Sequence, residues 1–308
     1  MSYRLKKGEK VAKGMRRIVL EQAERALQQM NARNGNPDEA IHDARVCFKK
    51  IRAVLRLMRD PMAGKLQEEN AFYRDLGRTL SSVRNDVAMI ESLAKLKKRF
   101  GDQLSSRALS GPRRPLAASD ARNQRAKTKA LGEVARKLRS GSRRITTWPL
   151  GKGGFKDFAG GLKHAYAQGR KQFVISCQDP TVENLHEWRK RVKDLWYDTR
   201  LLKKLWPAEV GTLADELGKL GDRLSDHHDL ALLRESSVEN RKEIGDKTEF
   251  ETLIALIDQY AAELRLEARL LGERIYAEKP AEFLNRLRCY WHTWRKESKL
   301  NPAADARK

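Results

Sequence analysis

The sequence lacks the features of a disulfide framework, a zinc site or a membrane span. Its three cysteines, Cys47, Cys177 and Cys289, are odd in number and far apart, so neither cysteine pairing nor metal-ligand spacing is present and a reducing cytosol is expected. No stretch approaches the roughly 18 uncharged apolar residues that a membrane span requires. Residues 1–20 also lack a long apolar run, so a Sec signal peptide is not expected.

Strand signals are equally scarce. The alternation of apolar and polar residues that is typical of β-strands is missing, and the dipeptide Asn34-Gly35 lies in a predicted loop. Amphipathic segments with helical periodicity follow one another instead, so the sequence predicts an all-α fold. The predicted helices cover about 9–31, 38–59, 65–83, 85–100, 120–140, 155–177, 181–205, 208–226, 228–244, 248–278 and 280–297.

Acidic residues are in deficit. The chain has 64 Lys and Arg against 41 Asp and Glu, which gives a formal net charge of +23. Because such a surplus repels itself in the folded state, a protein that carries it usually meets an anionic partner, although general solubility is the simpler alternative. Nucleic acid, an anionic membrane surface and other polyanions are the candidate partners.

An internal duplication is the most informative feature of the chain. Residues 39–60 read EAIHDARVCFKKIRAVLRLMRD, and residues 183–206 read ENLHEWRKRVKDLWYDTRLLKKLW. The two copies are 144 residues apart, and several identities in one register make chance an unlikely explanation. The matched pairs are Glu39 with Glu183, His42 with His186, Arg45 with Arg189, Lys49 with Lys193, Arg56 with Arg200, and Leu57 with Leu201.

A second block repeats downstream in the same order. LGRTLSSVRNDVAMI at 76–90 parallels LGDRLSDHHDLALL at 220–233, with a gap of one residue. Asp86 then matches Asp229, and we interpret both as aspartates at a helix N-terminus or between helices. Each copy is therefore predicted to contain a His-led helix, a connecting helix and a helix boundary that carries Asp.

Basic side chains form a stripe along each His-led helix. Because a helix turns about 100° per residue, the basic residues of each copy project within an arc of roughly 80°. Trp196 takes the position in the second stripe that Arg52 holds in the first. The first cationic face comprises His42, Arg45, Lys49, Arg52 and Arg56, and the second cationic face comprises His186, Arg189, Lys193, Arg200 and Lys204.

These cationic faces favour an anion-binding interpretation over a solvated surface. Stacked like charges cost a few tenths of a kcal/mol per pair, and no acidic residue interrupts either stripe. The stripe is duplicated, and each helix has a separate apolar face for the core, marked by Leu55, Leu57, Leu195 and Leu201. A bound anion would offset the repulsion.

The leading histidines allow several interpretations. His42 and His186 could contact an anion, accept a phosphoryl group, bind a metal or serve a structural role near the helix start. No second ligand follows four residues later, so anion contact or a structural role is favoured over a metal. His227-His228-Asp229 resembles a metal or phosphohydrolase signature, but the first copy has Val83-Arg84-Asn85 there and no histidine.

The repeated segments resemble the signature helices of CHAD domains, the conserved-histidine α-helical domains, over about residues 10–295. The resemblance implies two four-helix bundles related by pseudo-twofold symmetry, with a basic central cavity that binds inorganic polyphosphate. It assigns anion contacts to Arg45, Lys49, Arg52, Arg56, Arg189, Lys193 and Arg200, together with the signature histidines His42 and His186; Lys204 extends the second cationic face. The predicted divisions are a single domain at 1–308, a first helical half at 9–100, a basic linker and connecting helix at 101–154, a second half at 155–297 and a flexible tail at 298–308.

The predicted function is electrostatic binding of long polyphosphate without catalysis and without a cofactor or metal. The expected location is the cytoplasm, with possible association with polyphosphate granules. Nonspecific nucleic-acid binding, metal-dependent phosphohydrolysis or phosphotransfer, and a granule scaffold for another storage polymer remain alternatives. Base stacking would call for aromatic residues along the cationic faces, and aromatic residues make up only 7% of the chain.

Overall fold

A computed structural model describes residues 3–31, 36–81, 87–103, 120–244 and 246–300, and within these ranges the chain is helical without strands. The all-α prediction is confirmed. None of the described helices combines the length and the low charge that crossing a membrane requires. The helices are α1 (Val11–Asn31), α2 (Pro37–Leu57), α3 (Leu66–Ser81), α4 (Val87–Phe100), α5 (Asp120–Ser142), α6 (Lys156–Gln178), α7 (Val182–Leu202), α8 (Pro207–Glu239), α9 (Lys247–Ile275) and α10 (Pro280–Leu300).

The two repeat-bearing helices, α2 and α7, begin at side-chain caps. The side-chain oxygen of Asn36 accepts a hydrogen bond from the backbone N–H of Asp38, and Pro37 occupies the first turn of α2. Oγ1 of Thr181 accepts from the backbone N–H of Asn184 at the start of α7. Such caps satisfy backbone donors that a helix leaves without partners. They fix the residue at which each cationic face begins.

The predicted break between helices at 226–228 is wrong, because α8 runs without interruption from Pro207 to Glu239. Asp229 therefore lies inside a helix and not at its N-terminus. The helix continues because buried residues at helical spacing, including Leu224, Leu230 and Leu233, keep one side of it against neighbouring helices on both sides of the expected break. The corresponding positions of the first copy, 82–86, lie outside the described residues.

The main core joins both copies of the repeat. Helices α1, α2, α3 and α5 pack together, α7 packs against both α6 and α8, and α10 packs against α6. Helix α2 also contacts α6 and α7. The four leucines predicted to face the core, Leu55, Leu57, Leu195 and Leu201, are all fully buried in it. The predicted linker lies outside the described residues from 104 to 119, and the predicted tail from 301 to 308.

Helix α4 packs with the second copy, although it belongs to the first helical half by sequence. Its residues Leu93, Leu96 and Phe100 join a separate small core with Leu233 of α8 and Leu253 of α9. Between the halves the chain therefore crosses over before α5 returns to pack against α1 and α3. The two copies consequently share packing surfaces on two sides.

A close approach brings α6 onto the end of α2. A Cβ atom at Gly161 would overlap the carbonyl oxygen of Leu57 and lie 2.8 Å from that of Arg56. On the other copy, the N-terminal segment makes a comparable approach, because the backbone N–H of Leu5 donates to the carbonyl of Leu201 at 3.1 Å. Leu57 and Leu201 are repeat-equivalent. Thus the ends of α2 and α7 are covered by different segments of the chain.

Candidate functional site

The first cationic face lies against α3. Nε of Arg52 donates to Oδ1 of Asn70 at 3.1 Å. Burial lowers the pKa of Arg52 to about 10, and the positive charge of Arg56 acts in the same direction. Arg74 and Arg78, both on α3, add further repulsion. Arg52 therefore lies in a cationic environment between α2 and α3, in which Asp75 pairs with Arg74 and Asp194 pairs with Arg56.

The remaining members of the first cationic face lie nearer the start of α2. His42 and Lys49 are exposed, and Arg45 is partly buried. They follow the same side of the helix as Arg52. The whole face therefore extends from the solvent at the start of α2 toward the middle of the molecule.

The second cationic face lies against α8 in the same way. Nε of Arg189 donates to Oγ of Ser225 at 2.8 Å. Nζ of Lys193 donates to Oδ1 of Asp222 at 3.1 Å. Lys204 is exposed just beyond the end of α7. In this groove the facing helix supplies acceptors for two of the predicted site residues.

Trp196 sits between two members of the second cationic face. Nζ of Lys193 lies 4.8 Å from the centre of the indole ring, and the guanidinium carbon of Arg200 lies 4.5 Å from it. Cation–π attraction of this kind contributes about 0.5–1 kcal/mol at exposed sites. The tryptophan that replaces Arg52 therefore holds its cationic neighbours in place and leaves little ring surface for a nucleobase.

The two cationic faces approach each other at their C-terminal ends. Arg56 and Arg200, which are repeat-equivalent, both act electrostatically on the buried phenols of Tyr3 and Tyr197. Burial raises the pKa of Tyr197 to about 12, and both arginines oppose that increase. The hydroxyl of Tyr3 donates to the carbonyl of Lys50 at 3.3 Å. Tyr3 therefore packs near both arginines.

A cavity of about 410 Å³ lies between the copies, walled by α2, α3, α6 and α7. This volume falls within the usual range of small-molecule sites, about 300–1,000 Å³. Its walls carry side chains of both signs. The charged and titratable lining residues are Arg56, Arg59, His164, Arg191, Asp194 and Asp198.

Asp194 balances part of the positive charge in the cavity. Its carboxylate accepts a hydrogen bond from Nη2 of Arg56 at 2.5 Å and lies 3.4 Å from Nη1 of Arg191. Burial raises the pKa of Asp198 well above its ordinary value. No ion pair joins Arg59 to a carboxylate in the described ranges. Cationic charge therefore prevails in the cavity.

The cavity contains only one of the ten predicted site residues, Arg56. The expectation that both cationic faces line one shared cavity is therefore not confirmed. The reason is geometric: Arg191 and Asp194, which α7 presents to the cavity, project roughly 80–140° from His186, whereas the second cationic face lies on the other side of that helix. Each cationic face lines its own groove instead.

The histidines occupy different environments. The ring of His186 packs on that of His228 with centroids 4.4 Å apart, and neither Nδ1 has a hydrogen-bond partner among the described residues. Burial, reinforced by the neighbouring His228, lowers the pKa of His186 to about 4. His227 is buried, and burial also lowers its pKa to about 4. No group of three or more His, Cys, Asp or Glu in the described ranges is arranged to hold a metal ion.

Sequence reasoning missed the contribution of the facing helices. Asn70 and Arg78 on α3, and Asp222 and Ser225 on α8, contact or influence the predicted site residues. A signal was available for three of them, since Arg78, Asp222 and Ser225 lie in the second repeated block. Asp222 lies on the facing helix, so the pattern of the His-led helix alone does not reveal it.

The described helices and the two cationic faces that α2 and α7 carry define an all-α protein. The sequence model of the CHAD domain matches residues 17–236. Because this match covers most of the 308 residues, the chain belongs to the CHAD domain family, as the sequence resemblance predicted. No curated protein matches the chain.

Proposed function

We propose that this protein binds inorganic polyphosphate by electrostatic attraction along its cationic faces. The observation that carries the proposal is the position of partly buried Arg52 near Arg56, Arg74 and Arg78, where pairing with Asp194 and Asp75 still leaves cationic charge in excess. Like charges brought together in a partly buried site destabilise the free protein, and a polyanion relieves that repulsion. Membership of the CHAD domain family and the net charge of +23 support the same function.

In the proposed complex, a polyphosphate chain follows the first cationic face toward the centre of the molecule. It passes Arg56 and reaches the second cationic face at Arg200. The arrangement of two four-helix bundles with pseudo-twofold symmetry around a basic centre belongs to this proposal. The convergence of Arg56 and Arg200 on Tyr3 and Tyr197 supports it.

Binding of this kind depends on charge and on counterion release. Successive phosphates each carry negative charge and present no bases, so Arg and Lys side chains are sufficient for recognition. By analogy with nucleic acids, the logarithm of affinity falls linearly with the logarithm of salt, with a slope of about 0.7–0.9 per neutralised phosphate. Longer chains bind more tightly because they reach more cations.

The test is a binding titration with long polyphosphate, short polyphosphate and double-stranded DNA at about 50 and about 200 mM salt. We expect long polyphosphate to bind most tightly and to displace DNA at the higher salt. Preference for DNA would instead favour the nucleic-acid alternative. Failure of long polyphosphate to bind at either salt concentration would refute the proposal.

A double variant tests the assignment of the site. We expect Arg45→Ala with Arg189→Ala to weaken polyphosphate binding and to reduce the salt slope by about 1–2, since one phosphate contact is lost in each groove. The matched control is Arg136→Ala with Arg274→Ala, which removes the same charge from exposed positions on α5 and α9. Equal losses in the two double variants would contradict the site.

The proposed role is binding without catalysis, in the cytoplasm and at polyphosphate granules. A phosphate-release assay with polyphosphate and several divalent metal ions tests this part. We expect no release above background. Metal-stimulated release that disappears in His186→Gln would instead indicate a phosphohydrolase. In cells, a fluorescent fusion should co-localise with polyphosphate granules and lose that localisation in the Arg45 and Arg189 double variant.

A further inference from the structure

The groove between α2 and α3 (the first groove) and the groove between α7 and α8 (the second groove) have the same alignment of repeat-equivalent residues. Leu76 and Leu220 are both buried at repeat-equivalent positions. Ser81 and Ser225 each donate a side-chain hydrogen bond to the carbonyl four residues earlier, at 2.8 and 2.7 Å. Residues of α3 and α8 that are 144 positions apart can therefore be compared directly.

The comparison reveals a reversal of charge at one exposed position. Arg78 of α3 corresponds to Asp222 of α8, and their side chains are 71% and 70% exposed. Arg78 repels Arg52 of the first cationic face, and its own carboxylate partner is Asp75 of the same helix, at 3.7 Å. Asp222 instead accepts a hydrogen bond from Lys193 of the second cationic face at 3.1 Å. Thus one groove gains a cation at the position where the other gains a carboxylate.

A second position shows the same asymmetry two helical turns away. Asp215 of α8 lies 3.7 Å from Nζ of Lys203, whereas its equivalent in α3 is Ala71. Positions 215 and 222 are seven residues apart and so lie on one side of α8. On that side of α8, Asp222 pairs with Lys193 of α7 and Asp215 lies near Lys203 just after its end. The equivalent positions of α3 carry no carboxylate; Asp75, which lies between them, pairs with Arg74 of its own helix, and α8 has Lys219 there.

We propose that Asp222, assisted by Asp215, is an internal competitor for polyphosphate that makes the second groove the weaker of two unequal subsites. This inference rests on the proposed polyphosphate binding. The carboxylate of Asp222 accepts a hydrogen bond from Lys193, and a phosphate must displace that carboxylate to bind Lys193. Short chains therefore bind in the first groove, and only chains long enough to pass Arg56 and Arg200 engage the second.

Charge variants at the two equivalent positions test the inference. Because a unit charge about 4 Å away in water changes binding about fivefold, we expect Asp222→Asn to tighten long polyphosphate about fivefold and Asp222→Arg about 30-fold. Arg78→Asp should weaken both long and short chains. Tripolyphosphate serves as the short probe, and its affinity should change with Arg78→Asp and stay unchanged with Asp222→Asn.

The matched control is Asp258→Asn, which removes an exposed carboxylate paired with Arg234 away from both grooves. This variant removes one negative charge, as Asp222→Asn does, so it measures the effect of net charge alone. The double variant Arg78→Asp with Asp222→Arg exchanges the two subsites and should restore long-chain affinity to near the wild-type value. Circular dichroism and thermal unfolding confirm that each variant is folded.

The outcomes separate this inference from the function on which it depends. If wild-type protein binds long polyphosphate and Asp222→Asn behaves like Asp258→Asn, the competitor role is overturned while the function stands. If tripolyphosphate responds to Asp222→Asn and not to Arg78→Asp, the order of the subsites is the reverse of that proposed. If wild-type protein fails to bind polyphosphate at all, both fall together.

Discussion

Arg56 and Asp194 join the two repeat-bearing helices directly, because Nη2 of Arg56 donates to Oδ1 of Asp194 at 2.5 Å. Only 29% and 21% of their side-chain surfaces are exposed. The repeat-equivalent residues, Arg200 and Lys50, cannot form the same ion pair, since both are cations. This ion pair therefore links the two copies once, and the repeat-equivalent positions do not form a second one.

Loss of this link should destabilise the protein. We expect Asp194→Asn to lower the free energy of unfolding by about 1–3 kcal/mol, because a partly buried guanidinium loses its charged acceptor. Urea unfolding followed by circular dichroism measures the change. The exposed pair of Arg234 with Asp258 provides the comparison, and Asp258→Asn should cost less than about 1 kcal/mol. If both variants lowered the free energy of unfolding by the same amount, the partly buried ion pair would contribute no more than the exposed one.

Two glycine substitutions should act in opposite directions. Gly161→Ala forces a Cβ atom onto the carbonyl of Leu57 and should cost about 1–3 kcal/mol through overpacking. Gly132→Ala, on the exposed side of α5 with open space around it, should stabilise by up to about 1 kcal/mol because alanine favours the helix. Thermal unfolding of both variants checks the pair. If Gly161→Ala left the unfolding temperature unchanged, α6 would not be in close contact with the end of α2.

Stability should fall when the pH drops from about 6.5 to about 4. Burial lowers the pKa of His186 and His227 to about 4, so between these values the unfolded chain binds protons that the native protein does not. For the more buried His227 the loss is on the order of 3 kcal/mol. Thermal unfolding between pH 4 and pH 8, in buffers without phosphate, measures the decline. It should be shallower in His227→Gln, and an unchanged slope in that variant would argue against a neutral buried imidazole.

Asp198 should have the opposite pH dependence. Burial raises its pKa in the native state well above the ordinary value of 3.8, so the native protein retains a proton that the unfolded chain releases. This carboxyl therefore reduces stability as the pH rises from about 4 toward the raised pKa. Asp198→Asn keeps the shape, removes the titration and should raise the unfolding temperature at pH 8 more than at pH 5. A uniform change at both values would indicate that Asp198 is ionised.

Much of the fold could be predicted from the sequence because helical periodicity and caps are local signals. The spacing of Leu55, Leu57, Leu195 and Leu201 correctly identified the buried sides of α2 and α7. The duplication identified the family. The break expected near Asp229 failed because burial of the flanking leucines stabilises a continuous α8.

The geometry of the site was less accessible from sequence. Helical angles show which residues of one helix lie together, but they do not show which neighbour covers that side. Arg191 and Asp194 reach the cavity from a side of α7 that the repeat pattern did not distinguish. The partners of Arg52 and Lys193 come from α3 and α8, and packing of separate helices decides such contacts.

The position of α4 predicts how fragments of this protein would behave. Leu93, Leu96 and Phe100 are covered by residues of the second copy. A fragment that ends after Gln103 would present these side chains to water and invite aggregation, and the complementary fragment would keep an open hydrophobic cleft. We therefore expect the two copies to fold as one cooperative unit.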